Sequence, residues 1–254
     1  MLLKAQIYKL FRSKCFYSVL FINIIVNIIG VFAYWVIQND SKTASNVKGY
    51  SLMYKVISNG GIEVFEVMAI IFVALYVASE YKDGNIRSEI SYGYRRSAIY
   101  FSKLLSSVLG VSIIIASSMI TGIAAGSVLF GFGSDISSQL LFSLIKTFVM
   151  IIFVSSAFSS IYIMLCFLFK EPGIIISVYI AFTVLISNFL VAQLSLRFEW
   201  FKKVTDCMLQ SQLYNVSTLK ISGETAVIAV IYTAAVIIIS SVIGSAFFNK
   251  ADGV

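Results

Sequence analysis

Long apolar stretches separated by short polar ones run the length of this chain, and their lengths predict helices that cross a bilayer. A crossing helix needs about 20 apolar residues for a hydrocarbon core of ~30 Å. Six stretches meet or approach that length: Cys15–Ile37, Val64–Ser79, Leu104–Phe130, Leu140–Phe169, Gly173–Leu194 and Thr225–Phe248. The first ends in Tyr34-Trp35, which suits an interfacial aromatic belt. The second is short and carries Glu63 and Glu66 at one end, so part of it is expected to lie against protein. The fourth exceeds a perpendicular crossing and is expected to tilt or protrude. Ahead of the first span, residues 2–14 place Leu3, Ile7, Leu10 and Phe11 on one helical face, with Lys4, Lys9 and Arg12 elsewhere on the cylinder. This pattern predicts an amphipathic helix along the membrane surface, turning as an elbow into the first span. The predicted fold class is all-α: a polytopic membrane protein of six transmembrane helices preceded by an interfacial helix, one transmembrane domain over 1–254.

Six crossings put both termini on one side. If that side is cytoplasmic, the inner segments carry eleven of the nineteen Lys and Arg residues: Lys4, Lys9, Arg12, Lys14, Lys82, Arg87, Arg95, Arg96, Lys103, Lys170 and Lys250. The positive-inside bias favours that orientation. Among the connections, Gln38–Glu63 and Ser195–Gly223 are long, and Gly131–Ser138 is short. The Ser195–Gly223 stretch holds Phe198, Trp200 and Phe201 beside Lys202 and Lys203, which predicts a further interfacial helix. Asn215-Val-Ser217 fits a glycosylation acceptor, but a three-residue match carries little information. Glu171-Pro172-Gly173, with the sole proline, predicts a tight turn between the fourth and fifth spans.

Composition narrows the chemistry. The chain is 59% hydrophobic and 12% charged, where a soluble domain would carry roughly 25% charged residues. The net charge of +7 comes mostly from residues flanking apolar spans, so it describes topology rather than nucleic-acid binding. The chain has no histidine, which removes Ser-His and Cys-His catalysis and the usual zinc motifs. Cys15, Cys166 and Cys207 have no metal-ligand spacing and suggest no disulfide framework. No P-loop motif occurs. The first apolar run is longer than a secretory h-region, so it is read as a span. No metal site, no cofactor of the chain's own and no covalent chemistry are expected.

Polar residues inside the spans have two readings. Gly122-Ile-Ala-Ala-Gly126 allows close approach of helix backbones, within one subunit or across a dimer. Ser155, Ser156, Ser159 and Ser160 give the fourth span a polar stripe, and Asn23 and Asn27 share a face of the first. Hydrogen bonding between helices accounts for these; a moderately polar translocation path is the alternative. Lys146 and Glu66 are the deepest charges, and Glu66 is a candidate for an outer gate. The spans hold no chain of carboxylates of the kind a proton- or sodium-driven carrier uses, and no paired carboxylates that would suit a membrane protease.

Between the second and third spans lies a charged island of 24 residues, 80–103, holding Glu80, Lys82, Asp83, Arg87, Glu89, Arg95, Arg96 and Lys103. A span ending Ala78-Ser79-Glu80-Tyr81 leads into Gly84-x-x-Arg87, Gly93-Tyr94-x-Arg96, then Ile99-Tyr100 and Lys103. This pattern resembles the permease subunits of type-2 ABC transporters, the export class that includes lantibiotic and bacitracin immunity permeases. The basic N-terminal helix, the spans and the short tail Asn249–Val254 are similar to that family's layout over the whole chain.

The resemblance implies that the connection forms a coupling helix docking on a separate ABC ATP-binding subunit, which holds ATP and Mg. Carried onto this sequence, it assigns Glu80, Tyr81, Gly84, Arg87, Gly93, Tyr94, Arg96 and Lys103 to ATPase coupling. It implies a second permease copy or a sister permease as partner, in a bacterial cytoplasmic membrane with both termini inside. Small outer loops, without the large external domain of macrolide-type exporters, fit a peptide or amphipathic cargo entering from the bilayer. An ATP-independent carrier or channel is the alternative.

Overall fold

The structure, a computed structural model, describes residues 2–40, 62–131, 138–182, 208–217 and 223–250. Every regular element among them is helical: α1 (Leu2–Arg12), α2 (Lys14–Asp40), α3 (Ile62–Val73) running through a π-helical turn (Ala74–Ala78) into α4 (Ser79–Lys82), α5 (Asn85–Ser91), α6 (Arg96–Phe130), α7 (Ser138–Phe169), α8 (Pro172–Ala181), α9 (Leu209–Val216) and α10 (Gly223–Lys250). Five helical stretches are long and apolar enough to cross a membrane: Lys14–Gln38, Val64–Lys82, Arg96–Phe130, Leu141–Phe169 and Gly223–Lys250. The chain is thus a multi-pass membrane protein. The expected span Gly173–Leu194 is represented by α8, which is apolar but shorter, and residues 183–207 lie outside the described part, as do most of Gln38–Glu63, the aromatic segment 198–203 and the tail beyond Lys250.

Several boundaries differ from those the apolar runs mark. The helix holding Leu104–Phe130 begins at Arg96, so the last third of the charged island is already the first two turns of α6. The second span, marked as ending at Ser79, continues to Lys82, lengthened by the π turn. The face of α1 also divides. Leu10 is fully buried, but so is Gln6, whereas Leu3 and Phe11 are exposed. The protein-facing side of α1 is therefore the Gln6–Leu10 line, one turn apart.

The helices sort by what surrounds them. Phe21, Ile25, Ile28, Ile29 and Phe32 of α2 are exposed, as are Ile231, Ile238, Ile239 and Val242 of α10. An apolar residue on the outside of a bundle is at home in lipid, so these faces meet the hydrocarbon. The core between α2, α3, α6 and α7 is built from Phe16, Ile70, Phe72, Ile114, Ile151 and Tyr162. With no hydrophobic driving force between helices in lipid, association relies on close packing and small residues. Gly110 lets α6 close on the Phe72 ring: a Cβ there would lie 2.5 Å from Phe72 Cζ and 3.2 Å from Leu10 Cδ1. The ring cannot yield freely, because Phe16 lies edge-on at 5.7 Å and Tyr76 stacks at 5.5 Å. Gly122 and Gly126 are buried within the chain, where the neighbouring Ala125 and Leu129 pack against Val31 of α2.

Both described ends of the chain meet the charged island at one end of the bundle. Gln6 of α1 reaches Glu89 of α5 at 2.7 Å. Arg96, at the start of α6, donates to the carbonyls of Phe248 and Asn249 at the end of α10, at 3.2 and 3.1 Å. The turn between α7 and α8 closes on the same end, where Lys170 Nζ stands 5.8 Å over the Tyr81 ring. Lys170 adopts φ 58° and its N–H donates to Cys166 O at 3.0 Å, ending α7; Pro172 then opens α8 at a first-turn position suited to its missing N–H.

Close packing at Gly110 gives a measurable contrast. Gly110→Leu is expected to lower stability by roughly 1–3 kcal/mol through overpacking. Gly30→Leu, at a position with nothing within 4 Å, is expected to leave the unfolding midpoint in detergent unchanged or raised.

Candidate functional site

The end of the bundle where the basic segments meet is assembled around one buried cation. Lys103, two turns into α6, has no solvent exposure, yet an ammonium cannot be left bare in an apolar interior. Its Nζ is paired with Glu80 of α4, which is itself buried, and donates to Gln6 Oε1 of α1 at 2.7 Å. Glu89 Oε1 of α5 lies 3.5 Å from the same nitrogen. Lys9 of α1, partly exposed, pairs with the other Glu80 oxygen at 2.6 Å. Gln6 closes the ring by donating to Glu89, while the Gln6 carbonyl accepts from the Tyr76 hydroxyl at 3.0 Å. Two cations, two carboxylates and one amide thus tie α1, the π-turned second span, α5 and α6 together.

The π turn supports this arrangement. One extra residue in the helical turn Ala74–Ala78 shifts the phase of the residues that follow. Tyr76, inside the turn, and Glu80, just beyond it, both face α1.

Outside the lock, the island is exposed and rigidly framed. Gly84 at φ 72° and Gly93 at φ 83° bracket α5. These left-handed conformations favour glycine, and they let the chain turn out of α4, run α5 across the end of the bundle and turn into α6. Arg87, Tyr92, Tyr94 and Arg95 face outward, Tyr92 at 83% exposure. Tyr81 is half-buried, with its ring edge-on to Phe167 at 5.6 Å. Beside it, an open cleft of about 670 Å³ is lined by Tyr81, Lys82, Arg87, Lys170 and Glu171.

The residues proposed for ATPase coupling from the sequence are therefore brought to one region in three roles. Arg87 and Tyr94 are on its surface, with Tyr81 at the adjoining cleft and Gly84 and Gly93 as its framing turns, Arg96 ties α6 to α10, and Glu80 and Lys103 hold the mount from within. Gln6, Lys9, Tyr76 and Glu89 join the site without being predicted. The available signal was Gln6 itself, a polar residue one turn before the buried Leu10.

The intramembrane candidates separate. Asn23 is buried and its amide donates to Ser118 Oγ at 2.7 Å and Ile114 O at 3.2 Å, across to α6. Asn27 donates to Asn23 O at 2.7 Å and to Ser118 Oγ at 3.2 Å. This pair clamps α2 on α6. Glu66 is elsewhere, buried on α3, where Oε2 accepts from the Tyr179 hydroxyl of α8 at 2.5 Å. It lies in the wall of a cavity of about 430 Å³ bounded by α3, α7, α8, α9 and α10. Among the described residues no group of three or more His, Cys, Asp or Glu could hold a metal ion.

The chain belongs to the family described as protein of unknown function (DUF2705), which matches residues 15–254. No curated protein matches it.

Breaking a buried ion pair by removing one partner typically costs about 3–5 kcal/mol, because a charge is left uncompensated. Lys103→Met is expected to lower the thermal unfolding midpoint of the purified chain by an amount of that order. Adding Glu89→Gln restores neutrality and keeps a hydrogen-bond partner for Gln6, so the double variant is expected to recover part of the loss. Lys82→Met, on an exposed neighbour, is expected to leave the midpoint unchanged.

Proposed function

We propose that this chain is the transmembrane permease subunit of an ATP-driven exporter, receiving mechanical work from a separate P-loop ATPase. The observation that carries the reading is the mounting of α5: an exposed basic and aromatic surface, framed by two left-handed glycines and held through Glu89 to the Lys103–Glu80 pair that joins two membrane helices. A subunit without a nucleotide site needs such a surface. A soft loop would absorb a partner's movement, whereas a segment pinned by buried charges transmits it to α3 and α6. The outward Arg87 and Arg95, with Lys82 and Lys170 at the adjoining cleft, offer a cationic face to acidic groups on the partner.

Six crossings fit the same reading. Pro172 leaves the basic end, and α10, whose 28 residues extend ~42 Å, returns to it from Gly223. The apolar α8, which starts at that end, fits the opening of a sixth crossing beside the five long helices. Both termini and most of the span-flanking basic residues then share one side, which the positive-inside bias assigns to the cytoplasm. α1, with Leu3 and Phe11 exposed beside Lys4 and Arg12, suits an elbow on the inner leaflet. Two permeases, identical or sister chains, would join two ATPases in a bacterial cytoplasmic membrane. The small outer segments fit an amphipathic or peptide cargo taken from the bilayer.

The test is recovery of the tagged chain from its native membrane in mild detergent. A P-loop ATPase is expected in stoichiometric amount. Arg87→Glu with Arg95→Glu is expected to reduce that association by roughly ten-fold or more, the scale of losing charge pairs across an interface, while the amount of chain in the membrane stays the same. A chain recovered alone, under conditions that preserve other membrane complexes, overturns the reading and favours an ATP-independent carrier or channel. Undiminished association of the double variant removes α5 from the docking surface.

A further inference from the structure

We infer that the open cleft beside Tyr81 binds the headgroup of an anionic phospholipid. Three cations converge on it from separate elements: Lys82 at the end of α4, Arg87 on α5 and Lys170 between α7 and α8. Among the described residues Glu171 is the one carboxylate in the lining, so three cations and one anion leave a net charge of +2. No ion pair among the described residues compensates any of these four groups. Lys170 instead rests over the Tyr81 ring, with Nζ 5.8 Å from its centroid. Like charges gathered without counter-ions repel one another, and a bound anion relieves that repulsion. A positive-inside signal needs only basic residues near span ends. It does not need them to line one space of about 670 Å³, a volume within the roughly 300–1,000 Å³ of small-molecule sites.

Position decides the ligand class. The cleft lies where two membrane helices end, with Lys82 closing the second span and Phe169 closing α7. Leu168 and Phe169, directly before Lys170, and Ile174, directly after Gly173, are exposed, and exposed apolar side chains at a span end meet acyl chains. An anionic phospholipid satisfies both surfaces: its phosphate sits among the cations while its chains run along the apolar residues. A water-soluble phosphate gains from the cations alone. A zwitterionic headgroup brings a cation of its own into a space that already carries net positive charge. Basic pockets beside membrane helices select anionic headgroups for these reasons. Tyr92, Tyr94 and Arg95 lie outside the lining and are exposed, so a lipid in the cleft leaves that part of α5 open to a partner. The binding does not rest on the ATP-driven reading above.

Phosphatidylglycerol titrated into the purified full chain in neutral detergent, without any ATPase, tests the inference by native mass spectrometry, which counts the lipids retained per chain. Saturable retention of one phosphatidylglycerol per chain is expected, with phosphatidylcholine of the same acyl chains roughly ten-fold weaker or more. Lys82→Gln with Lys170→Gln is expected to weaken retention by roughly ten-fold or more. Lys4→Gln with Lys250→Gln removes the same charge from exposed positions outside the cleft, and is expected to stay within about two-fold of the native chain. Glu171→Gln removes the one repulsive group and is expected to tighten retention by roughly three-fold, a gain that misfolding does not produce. Equal retention of phosphatidylcholine, an equal loss in the Lys4 and Lys250 variant, unchanged affinity in both cleft variants, or no saturable retention overturns the site. Glycerol 3-phosphate displacing the lipid at equal concentration overturns the inference in favour of a free phosphate. Lipid retention by a chain that recruits no ATPase upholds this site while removing the exporter reading, so the two fail separately.

Discussion

A charge that enters an apolar bundle has to bring its partners with it, and the end of this bundle is organised by that requirement. Lys103 lies two turns inside α6 with no exposure, and compensating it requires Glu80, Glu89 and Gln6 to converge from three other segments. Convergence of that kind fixes geometry. α1 has to lie against the second span, the π turn has to rotate Tyr76 and Glu80 toward it, and α5 has to cross close enough for Glu89 to arrive. An apolar cluster of the same size tolerates sliding, because dispersion contacts are non-directional. Ionic and hydrogen-bonded contacts tolerate much less, and each member of the ring has its own partner. Whatever pushes on α5 therefore pushes on α1, α3 and α6 as one piece.

Much of this was legible in the sequence, because the bilayer imposes a length that apolar runs reveal directly. The long helices lie where the runs lie, and Gly84 stands at the turn that a left-handed residue requires. The misread boundaries have two causes. Hydropathy counts Lys103 and Arg96 as chain outside the membrane helix, but a charge with a buried partner is compatible with a helix interior, so α6 starts at Arg96. The π turn has no signature in Ala74–Ala78, since it expresses a tertiary demand rather than a local preference. On α1, the apolar line Leu3, Ile7, Leu10 and Phe11 marks a membrane-surface face and does not reveal that Gln6 is buried, where Lys103 and Glu89 engage its amide. The long-range partner of a lone polar residue is not written near it in the chain.

Polar groups within the spans fall into two physical kinds, which residue type alone does not separate. The serines of α7 are satisfied by their own helix: Ser155 donates to Ile151 O at 2.7 Å and Ser159 to Ser155 O at 3.1 Å. Ser160 also meets Ser240 Oγ of α10 at 2.7 Å. Asn23 and Asn27 spend their donors on α6 and on each other. Asn23, Asn27 and Ser160 thus bridge helices, whereas Ser155 and Ser159 bond within α7. Glu66 differs in accepting from Tyr179 of α8 in the wall of a cavity.

Glu66 and Glu80 belong to the same helical run, fourteen residues apart, about 21 Å along the axis at the usual rise. Between them lies the π turn, whose i→i+5 bonding is rare and is commonly found at functional positions. One end of the run is fastened to the exposed α5 through the charge lock, and the other carries the carboxylate of the cavity. On the ATP-driven reading, this gives a direct mechanical path. A displacement at the lock is carried by a stiff helix with one irregular turn, and it changes how Glu66 sits against Tyr179 on α8. The same path runs backwards, since coupling free energy between two sites is reciprocal. A change at the Glu66–Tyr179 contact would bias the position of the lock, and with it the surface presented to a partner.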